Sequence, residues 1–265
     1  MANQRKSQLS RKIRSTVGNF GLGILIILFI WQLAAWAFRP PSYILPSPLE
    51  VINVIFSYPL IWKHFWVTVL EAFSGLGLAI VAAFILAVAS LYSSIVRSIV
   101  FPVTIAIQVS PKIALAPLFL LWFGYGLFPK ILIATMVAFF PLLANIHKGL
   151  GSLDKDTLDL FKSLSASQLE ILFKARIPTC LPYFFTALKT AAGYSVIGAV
   201  IGEFVGASRG MGYLIMVSAA NLQTSLLFAS LLVLVAFGLV LYISISLMES
   251  TFIKGPQLEE EFVAM

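Results

Sequence analysis

Four ionisable side chains sit where chemistry inside a membrane would be done. Glu71, Lys112, Lys189 and Glu203 all fall inside, or at the margins of, long apolar runs. A charge in hydrocarbon is costly, so residues of this kind mark a solute or proton path, or an ion pair between helices. Glu71 and Lys189 lie near enough to run ends for their heads to reach hydrated ground. Lys112 and Glu203, together with Ser110, are the candidates for lining a path, with a buried structural pair as the competing role. Spacing alone derives no pairing among them. Other chemistries lack their residues. His64 and His147 lie far apart and Cys180 is the one cysteine, which excludes an internal disulfide and a Cys-based cluster and offers no converging metal ligands or nucleophile. No Gly-x-x-x-x-Gly-Lys-Ser/Thr loop occurs. The glycines at 202, 206, 210 and 212 suit tight turns and close packing, but no strand precedes them, so they do not read as a phosphate cradle.

The elements that would position these residues follow from composition. The chain has 265 residues, 60% hydrophobic and 11% charged, with a mean hydropathy of +0.97. Soluble domains carry about 25% charged residues, so this is an all-α integral membrane protein. A helix crosses a bilayer in about 20 apolar residues, which predicts six spans near 20–38, 66–92, 97–123, 130–148, 183–206 and 226–249. The first apolar run ends at Arg39-Pro40-Pro41 without a small-residue cleavage site, and reads as a retained span. After it, Pro48-Leu49-Glu50 is suited to start a short helix at the interface. Span two is rich in small residues, Ser74, Gly75, Gly77, Ala79, Ala82, Ala83, Ala87 and Ala89, which let helix backbones approach closely. Span three contains Pro102, Pro111 and Pro117; freed backbone groups at such depth must meet protein or a watery cavity. The division expected is a basic amino-terminal segment 1–19 against lipid headgroups, a membrane domain 20–250, and a tail 251–265 with Glu259, Glu260 and Glu261 solvated.

The formal net charge of +7 would suggest nucleic acid in a soluble chain; here it reads as orientation and not as nucleic-acid binding. With the amino terminus inside, the inner segments hold Arg5, Lys6, Arg11, Lys12, Arg14, Arg97, Lys148, Lys155, Lys162, Lys174, Arg176 and Lys254. The outer ones hold Arg39, Lys63, Lys130 and Arg209. The positive-inside rule then puts both termini and the interval 151–182 in the cytoplasm.

That interval is the longest polar stretch in the chain, and it resolves into two short helices. Asp156 is placed to cap the first, whose Leu158, Phe161 and Leu164 share a face. Ser165-Ala166-Ser167 interrupts it, and Ser167 with Glu170 forms a capping box for the second. Pro178 and Pro182 are expected to end that helix and lead into span five. An amphipathic helix here either rests on headgroups or lays its apolar face in a groove of a cytoplasmic partner. The acidic start at Asp154, Asp156 and Asp159 argues against anionic headgroups.

At these residues the chain resembles the permease subunit of binding-protein-dependent ABC importers, in the subgroup serving nitrate, taurine, sulfonates, bicarbonate and thiamine-precursor pyrimidines. The family's motif is Glu-Ala-Ala, three residues, Gly, nine residues, Ile-x-Leu-Pro. It falls on Asp159-Leu160-Phe161, Ser165 and Ala175-Arg176-Ile177-Pro178. The spacing matches, with Pro178 identical, Asp159 and Ile177 mildly changed, and Leu160, Phe161, Ser165 and Ala175 departing. Leu45-Pro46-Ser47-Pro48, the block from Ser110 to Gly126, Lys130-Ile131-Leu132, Phe140-Pro141, Gly202-Glu203 and Arg209-Gly210-Met211-Gly212 extend the likeness. Glu71 departs from it, standing where that subgroup usually has a basic residue. The resemblance implies a type I importer fold in the cell membrane, working as a homodimer with two ATP-binding subunits and an extracytoplasmic binding protein. It assigns ATP and Mg to the partner subunit, no cofactor and no enzymatic activity to this chain, and ATPase coupling to Leu158, Asp159, Leu160, Phe161, Leu164, Ser165 and Pro178. An ion-gradient-driven secondary transporter is the alternative; such proteins often show internal repeats with paired broken helices, and no repeat is evident here.

Overall fold

A computed structural model describes residue 23, residues 26–38 and residues 40–253. The basic residues from Arg5 to Arg14, Arg39, Lys254 and the acidic tail lie outside the described residues, as does part of the expected first span. The helices are α1 (Ile26–Phe38), α2 (Pro48–Ser57), α3 (Leu60–Tyr92), α4 (Ser94–Val109), α5 (Lys112–Phe123), α6 (Leu127–Gly151), α7 (Lys155–Ser163) and α8 (Gln168–Ile171). A π-helical turn, Leu172–Arg176, then leads into α9 (Ile177–Gly206), followed by α10 (Met211–Ala220) and α11 (Thr224–Phe252). Among the described residues, α3, α6, the continuous run Gln168–Gly206 and α11 are each long and apolar enough to cross a membrane.

Span three, expected over 97–123 with its backbone interrupted by prolines, is broken sharply in the middle. α4 and α5 meet at 104°. Pro111 has no N–H to donate, and its ring pushes the preceding residue out of the helical region; Ser110 accordingly sits extended at φ −60° and ψ 138°. The prolines expected to stop the helix before span five do not. Pro178 follows closely on the π-helical turn, where the regular hydrogen-bond ladder is already broken, and Pro182 is carried within the helix. Ser47 does start α2, with a full capping box to Glu50.

Long-range contacts order the bundle. Glu71 meets Lys130 near the starts of α3 and α6, and Ser90 Oγ lies 2.8 Å from His147 Nδ1 near their ends, so these two helices run parallel. α9 runs against both, since its first residues reach the end of α6 and Gly202 packs on Lys130. The rise from Thr68 to Ser90 is about 33 Å at 1.5 Å per residue, matching a hydrocarbon core of about 30 Å. α2 and α10 therefore sit at one end of the bundle and α7 at the other.

α3, α6 and α9 interlock through small side chains. Ala72, Ala79, Ala83, Ala87, Ala134, Ala138, Ala191, Ala192 and Ala199 are all buried. The closest approach of backbone is at Gly198, where a Cβ would lie 2.6 Å from Ala134 Cα and 3.0 Å from Ile133 O. Backbone cannot swing aside as a side-chain tip can. Gly198→Val is expected to force α6 and α9 apart at about 1–3 kcal/mol or more, read as a lower monodisperse yield in detergent size-exclusion. Gly193→Ala, with nothing within 4 Å of its Cβ, should leave the yield intact.

Candidate functional site

The α7 loop is built from caps at both ends. Asp154, and not Asp156, is the N-cap: its carboxylate accepts from Thr157 N at 2.8 Å, and that bond holds its carboxyl below the usual range. Asp156 falls in the first turn, where its charge suits the helix dipole. The reason is backbone geometry, since Asp154 is the extended residue at φ −64° and ψ 153°. Leu164 ends the helix, Ser165 takes φ 55°, and Ser167 and Glu170 exchange the expected capping-box bonds. No residue of α7 is buried. Leu158 and Phe161 are half-buried, while Leu160 and Leu164, one turn apart, are 58% and 71% exposed. The fully open apolar pair is thus Leu160 and Leu164. Asp159 pairs with Lys162 at 3.1 Å on the open surface, and Pro178 is exposed.

At the elbow between α4 and α5, the fold brings Ser110 and Lys112 together. Ser110 ends α4 with its hydroxyl on Ala106 O at 2.8 Å. Lys112 opens α5 and folds back over the end of α4, donating to the Gln108 carbonyl and, at 3.4 Å, to Gln108 Oε1. The ammonium thus neutralises the negative end of the α4 dipole. Both side chains are only partly covered.

Glu203 lies away from this elbow, in a network at the α10 end. It is 1% exposed. Its carboxylate accepts from Thr68 Oγ1 at 2.6 Å and from Gly212 N, while Thr68 Oγ1 accepts from Met211 N at 2.8 Å. His64 Nδ1 accepts from Gly210 N at 3.0 Å. The amides that open α10, which lack partners within the helix, are thereby satisfied by α3 and α9. Gly210 has φ 118°, and a Cβ there would lie 2.1 Å from Glu203 Oε1, so this turn requires glycine. An anion cradle does exist at these glycines, but the protein fills it with its own carboxylate.

The two remaining buried charges are paired. Glu71 Oε1 accepts from Lys130 Nζ at 2.8 Å, with side chains 0% and 7% exposed. Lys189 donates to Glu249 Oε2 at 2.8 Å, tying α9 to α11. Lys130 was counted above among outer-loop cations, yet it is 5% exposed in the first turn of α6. Thr68, Lys130 and Glu249 were missed by sequence. Their signal is indirect: each buried charge demands a counter-charge or donor somewhere on a neighbouring helix.

An all-helical membrane bundle with an unburied amphipathic helix at one end has the form of a transport permease. The family model described as the inner membrane component of binding-protein-dependent transport systems matches residues 49–254, and the chain belongs to that family. It is 39% identical to an ABC transporter permease protein of Haemophilus influenzae over 229 residues, covering 86% of this chain and 94% of that one. A formylaminopyrimidine transport permease of Halalkalibacterium halodurans is 32% identical over 86% of this chain and 92% of its own. A riboflavin transport system permease of Chloroflexus aurantiacus is 31% identical over 87% of each. The fold is shared with a chain of the MetNI methionine ABC transporter in inward-facing form, at TM-score 0.63 and 18% identity, over 75% of this chain and 100% of that one. The protein is therefore a type I importer permease subunit with multiple apolar helices, and its family name makes a binding protein part of its system.

Proposed function

We propose that this subunit forms the translocation pathway of an importer for a small heteroaromatic solute, and that α7 couples that pathway to ATP hydrolysis on a separate subunit. The observation that carries the coupling reading is the open apolar pair Leu160 and Leu164 on a helix with no buried residue, at the end of the bundle away from α2 and α10. An exposed apolar stripe on a capped, polar-flanked helix fits a groove on a protein partner. The pair lies within the motif frame Asp159 to Pro178, so Leu158, Asp159, Phe161 and Ser165 are assigned to the same contact. Ser110 and Lys112, partly open at the elbow, are the proposed path-lining residues. Glu203 is the weakest of that set, because its acceptor capacity is already engaged at α10.

The charge argument supports α7 and both termini on the cytoplasmic side. With Lys130 held in a buried ion pair, Arg39, Lys63 and Arg209 remain as outer-loop cations, and the asymmetry sharpens. Two copies of this chain with two ATP-binding subunits make the proposed assembly, with ATP and Mg on the partners. Relatives above 30% identity whose names state a solute are named for formylaminopyrimidine or riboflavin, and those named for sulfonates and taurine lie at 24–25%; this favours a heteroaromatic solute over an anionic one.

Reconstitution tests the reading. The chain in proteoliposomes with its ATP-binding subunit and binding protein should take up radiolabelled formylaminopyrimidine or riboflavin only with ATP inside or outside as orientation dictates. Uphill uptake by this chain alone, driven by an ion gradient, would establish a secondary transporter instead. ATP-dependent uptake of taurine or nitrate in preference to both heteroaromatics would overturn the solute class while keeping the coupling.

A further inference from the structure

We propose that Arg176 is a positioning residue that locks the root of the α7 loop, so that α6 and α9 move with α7 as one body. This rests on α7 being the coupling element. The loop leaves the bundle at Gly151 and returns through the π-helical turn Leu172–Arg176. Across that gap of 26 residues, Arg176 Nη1 donates to Leu150 O at 2.6 Å. Leu150 is fully buried, and its carbonyl is among the last of α6, which have no partner within the helix and form the negative end of its dipole. A guanidinium is the donor best suited to it, being charged at all working pH and rigid. Among the described residues, the Nε of Arg176 is buried without a hydrogen-bond partner, and the Nη1 bond to Leu150 O is what holds the guanidinium in place.

Neighbouring contacts confine the same root. Cys180 Sγ reaches Ile146 O at 3.5 Å, and a Cβ on Gly149 would stand 2.8 Å from Tyr183 Cβ. The π turn supplies the rotation. One extra residue in a turn shifts the phase of what precedes it by about 100° around the axis. Arg176 thereby faces α6 while Phe173 and Leu169, 65% and 66% exposed, face outward. Arg176 occupies the variable position of the motif, so its role is separate from the motif's own proline. A push on α7 would otherwise spread the two strands of the loop apart; the tie directs it into both helices.

The test uses the whole permease in lipid nanodiscs, spin-labelled at Ser163→Cys on α7 and Thr190→Cys on α9. The α7-to-α9 distance distribution is expected to be narrow, to broaden or split in Arg176→Gln, and to narrow again in Arg176→Lys, which keeps a cationic donor. With partner subunits bound, Arg176→Gln should retain ATP hydrolysis but lose the nucleotide-dependent distance change between labels on α9 and α4. A distribution in Arg176→Gln that matches the parent overturns the proposal. The coupling reading fails by a different sign: a permease carrying Leu160→Asp and Leu164→Asp together that still binds the ATP-binding subunit normally refutes docking through α7, while the label distances still judge the Arg176 tie.

Discussion

Leu160→Asp is expected to yield a folded, membrane-inserted permease that no longer retains its ATP-binding subunit. Leu160 is 58% exposed and Leu164, one turn on, 71%; neither contributes to the buried core of the chain. A surface substitution of this sort shifts the chain's own stability by roughly 0.5 kcal/mol at most. At the interface the balance is different. An apolar anchor in a desolvated groove is worth about 2–4 kcal/mol, and a carboxylate placed there must also be desolvated without a partner. The expected loss of affinity is about 30- to 700-fold. Pull-down of the ATP-binding subunit by the tagged permease measures it, with monodispersity as the control for folding. Lys162→Ala should change little, because its pair with Asp159 is open to water on both sides, 58% and 71% exposed, and such pairs contribute about 0–1 kcal/mol. Phe161 is a less clean probe than Leu160. It is half-buried, so a charge there would disturb α7 as well as its contact. Undiminished recovery of the subunit with Leu160→Asp and Leu164→Asp together would remove α7 from the coupling role.

Local signals in the sequence translated well, and long-range ones did not. The capping box at Ser167 and Glu170 and the break at Ser165 depend on residues within one turn of each other, so type and spacing are enough to place them. The N-cap at Asp154 was displaced by two residues because Asp154 and Asp156 have the same chemistry. Only the backbone dihedral separates them. The proline count in span three signalled disruption, but the 104° elbow at Ser110-Pro111 depends on which proline sits where the helix has no other support. Pro102 and Pro117 remain inside α4 and α5. The small residues of α3 announced close packing without naming the partner face. That face, Ala134 of α6 against Gly75 and Gly198, joins segments far apart in sequence. The buried charges show the limit most plainly. Glu71 and Lys130 are 59 residues apart, and no periodicity relates them. Lys130 even looked like a loop residue, since it follows Gly126 and Pro129 at the very start of a helix.

Lys130→Met is expected to be the most damaging single substitution in the bundle, and Glu71→Met together with it to restore most of the loss. Lys130 Nζ and Glu71 Oε1 are 2.8 Å apart, with side chains 7% and 0% exposed. Removing one member of such a pair leaves the other charge buried and uncompensated, at a cost of about 3–5 kcal/mol. The geometry prevents relief by movement. A Cβ on Gly202 would sit 3.0 Å from Lys130 Cα, so α9 already lies against the α6 backbone at this point, and Glu71 has no route to water around it. For a chain of this size the penalty corresponds to a fall of roughly 6–20 °C in the thermal midpoint, measurable in detergent by the loss of monodisperse protein on heating. Replacing both charges by apolar side chains of similar length removes the desolvation cost with the attraction, and such exchanges are often neutral or better. The double variant should therefore melt near the parent. If it melts as low as Lys130→Met alone, Lys130 stabilises the bundle through something other than Glu71. A double variant that melts like the parent but supports no ATP-driven uptake would move the pair from the scaffold into the transport cycle.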